Sequence, residues 1–365
     1  MRNSRALKSV TAILGKKSCD RGILLIPKVS ILWVNYNSLS FINLALESLQ
    51  AIRDLDYSNY ELIVVDNGSV DGSFEIIKKF VNESNIKSKL IRLNRNLGFT
   101  GGNNVAYAAR DPNSKYVVLL NSDAVPRKDS LNRLVKIMES DKSLGAAQGV
   151  ILNYDEKSID TAGDFVSELL ETPTPLHGCP PDSLKKPIFA TSADAAYSIF
   201  RVEAIEKSSN GSGKIFDDLF ACFDDHLLGL RIWNAGYKIK VFPIITAKHN
   251  RGSSFRKVQP LQLYLIIRNV LIVNEISNSR YKTLIRLLIL RELAKWIVAK
   301  FLGLVKIPEY KKMPMLLLKA FIEGIKTGRS KKWQAIKINI YKAPILTVKF
   351  MDALLKVIYV LKWLA

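Results

Sequence analysis

Four short acidic or glycine-rich clusters, each set just behind an apolar run, carry most of the chemistry legible in this chain. They are VVDNGSVDGS at 64–73, NRNLGFTGGNN at 94–104, VVLLNSDA at 117–124 and FDDH at 223–226. An apolar run ending in Asp reads as a buried strand that delivers a carboxylate to its exit. Ligands of open α/β sheets bind outside the carboxyl ends of the strands, so several such carboxylates point to one site on one sheet edge. Asp66 is suited to accept hydrogen bonds from a base or ribose, or to cap its own turn. Gly98, Gly101 and Gly102 let backbone N–H groups approach a ligand, although GxGxxG and GxxxxGK[ST] spacings are both absent.

Asn121, Ser122 and Asp123 follow a buried run. A carboxylate beside an amide oxygen there suits a hard divalent cation, with substrate phosphates completing the shell; the alternative is an Asp that caps the next helix. Asp224 and Asp225 open a helix, where the macrodipole stabilises negative charge. They read either as caps or as an orienting group and a general base. His226 beside them reads as packing. His249, at a strand exit in ITAKHNRGSS, is a candidate metal ligand in a chain with three His.

The elements that must hold these residues alternate. Apolar runs at 29–37, 61–66, 89–93 and 115–120 read as strands. Periodic segments at 40–52, 74–82, 103–109 and 128–139 read as helices between and after them. That rhythm gives a parallel sheet with right-handed crossovers. Beyond about residue 145 the pattern changes to a strand over AAQGVILNY, a Pro-rich loop at 172–187 and a strand at 190–201 interrupted by Asp194. A helix at 225–235 and a strand at 237–243 follow.

Charge divides the chain. Residues 261–365 hold 20 Lys/Arg against 5 Asp/Glu, whereas 1–260 hold 34 against 28. Three Cys without CxxC spacing argue against a disulfide framework or structural zinc and fit a reducing compartment. Residues 1–27 read as a basic leader whose apolar run is too short for a signal peptide. The tail alternates Leu/Ile clusters with Lys/Arg and Trp, with no uncharged apolar run of transmembrane length. It reads as helices lying in a membrane interface and drawn to anionic headgroups, or as a subdomain packed on the rest. Leu and Ile rather than stacking aromatics fill the spaces between charges, which argues against nucleic acid.

Taken in order, VSILWVNYNS, ELIVVDNGSVDGS, NRNLGFTGGNN, YVVLLNSDA, FDDLFACFDDHLLGLRIWNAGYKI and KHNRGSS resemble the family 2 glycosyltransferases, in particular the rhamnosyl- and galactofuranosyl-transferase-like branch. The resemblance spans residues 28–268. It implies a GT-A fold of α/β class, with a mostly parallel Rossmann-like sheet flanked by helices. Residues 28–145 would form the nucleotide-sugar half, 146–260 the acceptor half, and 261–365 a basic amphipathic helical membrane-association region. By position it assigns Asn35 and Asp66 to the donor nucleoside, Asn37 to substrate binding, and the stretch from Gly98 through Gly102 to Asn103 to the nucleotide-sugar pocket. Asp123 takes the last place of the metal-binding DxD motif, with Asn121 in the first, and His249 a further metal place; the metal would be Mg²⁺ or Mn²⁺. Asp225 matches the catalytic base, Asp224 stands where Glu is usual, and Asp194 faces donor sugar and acceptor. Arg231 of the EDxDLxxR pattern is kept, while Leu227 replaces its second acid.

The implied activity is inverting, metal-dependent transfer of a sugar from a nucleotide diphosphate to a lipid-linked saccharide at the cytoplasmic face of a membrane. The competing readings are a nucleotidyltransferase with a similar nucleotide fold and a non-catalytic membrane scaffold with a decayed site.

Overall fold

The computed structural model describes residues 26–209, 211–252, 259–303, 310 and 312–348. Almost all of the expected 1–27 leader and the end of the basic tail lie outside the described residues. The amino-terminal half runs β1 (Val29–Asn35), α1 (Ile42–Arg53), β2 (Tyr60–Asp66), α2 (Ser73–Glu83), β3 (Ser88–Arg92), α3 (Gly98–Ala108), β4 (Tyr116–Asn121), β5 (Ala124–Pro126) and α4 (Ser130–Ser140). The chain continues through β6 (Leu144–Asn153), β7 (Ile159–Thr161), β8 (Ile188–Phe189), β9 (Tyr197–Arg201), α5 (Val202–Ser208), α6 (Asp224–Asn234) and β10 (Lys238–His249). The helices α7 (Gln259–Ile276), α8 (Lys282–Phe301), α9 (Met313–Gly328) and α10 (Lys331–Gln334) follow.

The strands form one sheet in the order β3-β2-β1-β4-β9-β6-β10-β5, with β7 on β6 and β8 on β10. β1 to β4 are mutually parallel, as the alternating pattern requires. β9 runs antiparallel to both β4 and β6, so the sheet as a whole is mixed rather than mostly parallel. Successive residues of β1 serve opposite faces. Ile31 and Trp33 pack with Ala45, Leu49 and Leu131, while Leu32 packs with Ala106, Tyr107 and Leu228. Both faces are covered by helices, which is why these strands read as unbroken apolar runs.

Three elements depart from the sequence reading. The glycine cluster is not a loop before a helix at 103 but the first turn of α3 itself. Asn67 makes this possible: its Oδ1 accepts from Leu97 N at 2.9 Å, and its Nδ2 donates to the Gly98 carbonyl at 3.0 Å. A side chain at Gly102 would sit 2.9 Å from Val34, so only glycine lets α3 lie this close to β1.

The expected strand at 190–201 forms only from Tyr197. Upstream, Asp194 N donates to Gln148 Oε1 at 2.7 Å and Ala196 N donates to Asp194 Oδ1 at 2.8 Å. Side chains thus take the backbone partners that a ladder would need. β10 is longer than expected and carries His249 as its last residue. Pro243 is accommodated because the β10 ladder on β6 shifts register between Val241 and Ile245.

The carboxy-terminal helices share a core with the preceding half. Leu169, Phe223, Leu227 and Leu230 pack with Ile272, Val273, Ile285, Trp333 and Ile340. α9 crosses α7 closely, because a side chain at Gly324 would meet the Arg268 carbonyl at 2.7 Å. No helix among the described residues is long and apolar enough to cross a membrane.

Candidate functional site

The parallel register sets Asn35 opposite Asp66 and Val34 opposite Asn121, so three strand ends finish level on one edge. Asn35 is fully buried, and its Nδ2 donates to Asp66 Oδ1 at 2.8 Å and to Ser69 Oγ at 3.1 Å. Asp66 Oδ2 accepts from Ser69 N at 3.1 Å. Both residues therefore rigidify the turn at 67–72 while standing at its base. Asn37 lies in the left-handed region (φ 47°), and its Oδ1 accepts from Val70 N at 2.9 Å. Asn103 is buried and donates to the Phe99 carbonyl at 3.0 Å, one turn back along α3.

Gly98, at φ 76°, closes under Phe220, whose carbonyl would lie 2.4 Å from a side chain there. Thr100 N donates to that carbonyl at 3.0 Å, and Asn104 exchanges two hydrogen bonds of 2.9 Å with the backbone of Phe216. The segment leading into α6 is thereby tied to α3.

A second group lies where β4, β7 and β10 end. His249 Nε2 sits 3.2 Å from Asp123 Oδ1, and its Nδ1 is 2.8 Å from Asp160 Oδ2. Burial works to lower the imidazole pKa, but the bonds to Asp123 and Asp160 outweigh it and raise it to about 9. Arg251 Nε donates to Asp160 Oδ1 at 2.6 Å, and its Nη2 donates to Asp194 Oδ2 at 2.6 Å. The resulting row, Asp123–His249–Asp160–Arg251–Asp194, is continuous.

The fit to a divalent ion is a matter of donors. Asp160 fixes His249 by Nδ1 and aims Nε2 at Asp123, the arrangement by which a carboxylate orients a metal-binding imidazole. One imidazole nitrogen and one carboxylate are two protein ligands, and no group of three or more such side chains is assembled among the described residues. The set suits an ion that keeps most of its shell for water and phosphate oxygens.

The third group opens α6. Ala195 N donates to Asp225 Oδ2 at 3.3 Å, while the buried Oδ1 has no partner. Burial, then the charges of Asp224, Asp194 and Asp164, hold the Asp225 carboxyl well above the ordinary carboxylate range. Burial also pushes Asp224 up to about 6 and Asp164 up to about 7, in each case with Asp194 adding to it. Asp194 itself moves the other way: burial would raise it, but Arg251 and then His249 pull it down. His226 packs against Phe223, the rings tilted with centroids 5.2 Å apart, with neither ring nitrogen bonded, and burial lowers its pKa to about 4. It is a neutral packing residue.

The structure thus gathers Asn35, Asp66 and Asn121 on one edge, and joins Asp123, His249, Asp194 and Asp225 through contacts and charge. It does not bring Arg231 to them. That side chain is buried two turns along α6, donating to Asp217 Oδ2 at 2.7 Å and to the Ser208 carbonyl at 3.0 Å. Assigned to substrate by position, it instead anchors the segment before α6, because its guanidinium is spent on these partners. Sequence reading passed over Asp160, Asp164, Arg251 and Asn67. The signal for the first two was two carboxylates four apart in IDTAGD, and for Arg251 its place two residues beyond His249.

Residues 30–207 match the family described as Glycosyl transferase family 2. The uncharacterized glycosyltransferase alr2836 of Nostoc sp. (strain PCC 7120 / SAG 25.82 / UTEX 2576) is 28% identical over 154 residues, covering 40% of this chain and 46% of that protein. The Methanococcus voltae dolichyl N-acetyl-alpha-D-glucosaminyl phosphate 3-beta-D-2,3-diacetamido-2,3-dideoxy-beta-D-glucuronosyltransferase is 23% identical over 238 residues, 63% of this chain and 68% of that one.

Among solved structures, S. aureus TarS 1-349 in complex with UDP-GlcNAc aligns with a TM-score of 0.50 and 18% identity, over 85% of this chain and 84% of that one. The mannosyltransferase PcManGT from Pyrobaculum calidifontis, in complex with GDP-Man and Mn²⁺, aligns at 0.50 with 17% identity, over 82% and 87%. At these identities the structural likeness establishes the GT-A-like fold. The chain spans less than half the length of the first of its curated relatives.

Proposed function

We propose that this chain, a member of glycosyltransferase family 2 through residues 30–207, transfers a sugar from a nucleoside diphosphate to a lipid-linked saccharide, with inversion and with Asp225 as general base. The observation that carries the reading is the unpartnered, buried Oδ1 of Asp225 at the start of α6, beside Ala195 and within the charge field of Asp194, the end of the row that includes Asp123 and His249. A carboxylate whose pKa is raised takes up a proton readily once ionised. The acceptor hydroxyl oxygen would form the new bond to C1 as the C1–O bond to the diphosphate breaks, and the hydroxyl proton would pass to Asp225.

Asn35 and Asp66 would hold the nucleoside, and Gly98, Gly102 and Asn103 would line the path of the diphosphate. Asp123 and His249 would hold a divalent cation, which when bound supplies charge neutralisation for the departing diphosphate. Mn²⁺ accompanies the nucleotide sugar in the PcManGT structure, and a dolichyl phosphate sugar appears in the name of the Methanococcus relative. Both support the reading, as does the likeness of the motifs to rhamnosyl- and galactofuranosyl-transferases. The excess of Lys and Arg in 261–365 and the exposed apolar residues of α8 and α9, among them Phe301 and Met315, support action at the cytoplasmic face of a membrane as a peripheral protein.

The test is thermal unfolding across a panel of UDP-, GDP- and dTDP-sugars with and without Mn²⁺, followed by product analysis with polyprenyl-linked saccharides. A metal-dependent rise in melting temperature with one donor, and transfer that Asp225→Asn abolishes, is the expected result. Undiminished transfer by Asp225→Asn removes that residue from the base role.

A further inference from the structure

A groove of about 460 Å³ lies between α7, α8 and the 169–172 turn, lined by Leu169, Phe223, Ile266, Val270, Leu288 and Trp296 among others. Its volume falls within the range, about 300–1,000 Å³, that suits one small-molecule ligand or a stretch of one lipid chain. Phe223 forms part of the wall and is the residue immediately before Asp224 and Asp225. The groove therefore reaches the residue that leads into α6, the helix proposed to carry the base. α7 fixes this junction, since Asn269 Nδ2 donates to the carbonyls of Ala221 and Cys222 at 2.7 and 2.8 Å.

α8 is apolar on both sides. Ile285, Leu288 and Trp296 face the groove, while Leu287, Leu290, Ile297, Val298 and Phe301 are exposed on the other side. The helix also bears Lys282, Arg286, Arg291, Glu292, Lys295 and Lys300, so it is amphipathic, with a second apolar strip suited to leave water. The region around it also carries four times as many cations as anions, a field suited to a phosphate-linked lipid.

We infer that the groove holds the hydrocarbon chain of the acceptor, so that the chain lies along α7 and α8 while its saccharide reaches Asp225. This inference rests on the glycosyltransferase reading for its orientation, but not for the binding itself. Acceptor selection is then shared. The carboxylates at α6 handle the hydroxyl, and the groove admits only saccharides that carry a long apolar chain.

The probe is farnesyl phosphate below its micelle concentration, titrated into the full-length protein with tryptophan fluorescence as readout, since Trp296 lines the groove. Saturable binding is expected. Ile266→Glu, at a position already 40% exposed, and Leu288→Trp, which fills the groove, should each weaken it at least tenfold. Both should leave the donor-induced rise in melting temperature unchanged. Phe301→Ser, on the exposed side, should keep farnesyl phosphate affinity and reduce co-sedimentation with phosphatidylcholine–phosphatidylglycerol vesicles.

Absence of saturable binding overturns the inference, as does wild-type affinity in both groove variants. So does a loss in Phe301→Ser matching theirs, which would mark a surface patch instead. A wild-type protein that binds farnesyl phosphate but no nucleotide sugar would sink the glycosyltransferase reading and leave the groove standing.

Discussion

The donor edge and the acceptor edge of the site, so named for the ligands they are proposed to meet, are built on opposite principles. At the donor edge polar groups are matched inside the protein: Asn35 with Asp66 and Ser69, Asn67 with Leu97 and Gly98, His249 with Asp123 and Asp160. At the acceptor edge Asp225 Oδ1 has no partner, and Asp164, Asp194, Asp224 and Asp225 repel one another in a buried setting. Matched polar groups of this kind preorganise a cradle for a ligand. A carboxylate that must take a proton is instead held in an environment that favours the protonated form.

The contrast can be broken from the acceptor side first. Asp225→Asn is expected to lower kcat by about 10²–10⁴-fold, the usual worth of a general base, with the donor-induced thermal shift intact. If donor binding falls with it, the two edges are not separable. Arg231→Leu should strike both edges, because it frees Asp217 and Ser208 and loosens the segment that reaches α3 through Phe216 and Phe220. Breaking a buried pair of this kind costs about 3 kcal/mol, read as a lower urea midpoint with unchanged slope.

Asp160→Asn tests the donor side first, and reaches the acceptor side only through Arg251, which Asp160 shares with Asp194. Loss of the orienting carboxylate should weaken Mn²⁺-dependent donor binding by about 10–100-fold, and an unchanged affinity would show that His249 needs no such support.

The smallest effect concerns the cost of the acceptor charges. The folded pKa of Asp164, about 7, lies above its ordinary value of 3.8, so its contribution to stability is fully present below that ordinary value and is lost as pH rises toward 7. Asp164→Asn should therefore raise the melting temperature at pH 8, by about 2–4 °C for a change of ~1 kcal/mol, with the gain fading by pH 4. A variant that gains equally at both pH values would owe its stability to something other than charge.

Much of the donor edge was legible because it is local. An apolar run ending in Asp gives both the strand and its exit, so Asp66, Asn121 and Asp123 were placed by pattern alone. The glycine cluster misled, since its helical first turn depends on Asn67 from another strand end. Asp194 was expected within a strand. Gln148, 46 residues away, takes its amide and turns it out of the ladder. Arg231 was assigned by motif, and only packing shows that Asp217 claims it. Asp160 and Arg251 went unread because their meaning lies in a partner about 90 positions apart. The amphipathic tail was read as interfacial helices or as a subdomain packed on the rest, and its inner faces complete the core around Leu227 and Leu230.

Phe220, Cys222 and Phe223 all hold left-handed backbone, at φ 74°, 69° and 65°. Such residues cost on the order of 1–3 kcal/mol each and persist only where neighbours impose them. Asn269, gripping two carbonyls of this stretch from α7, is the latch that keeps it cocked. A protein cut before α7 would lose that latch as well as the surface proposed to meet lipid, and inactivity of such a fragment would report a disturbed start of α6 as much as a missing anchor.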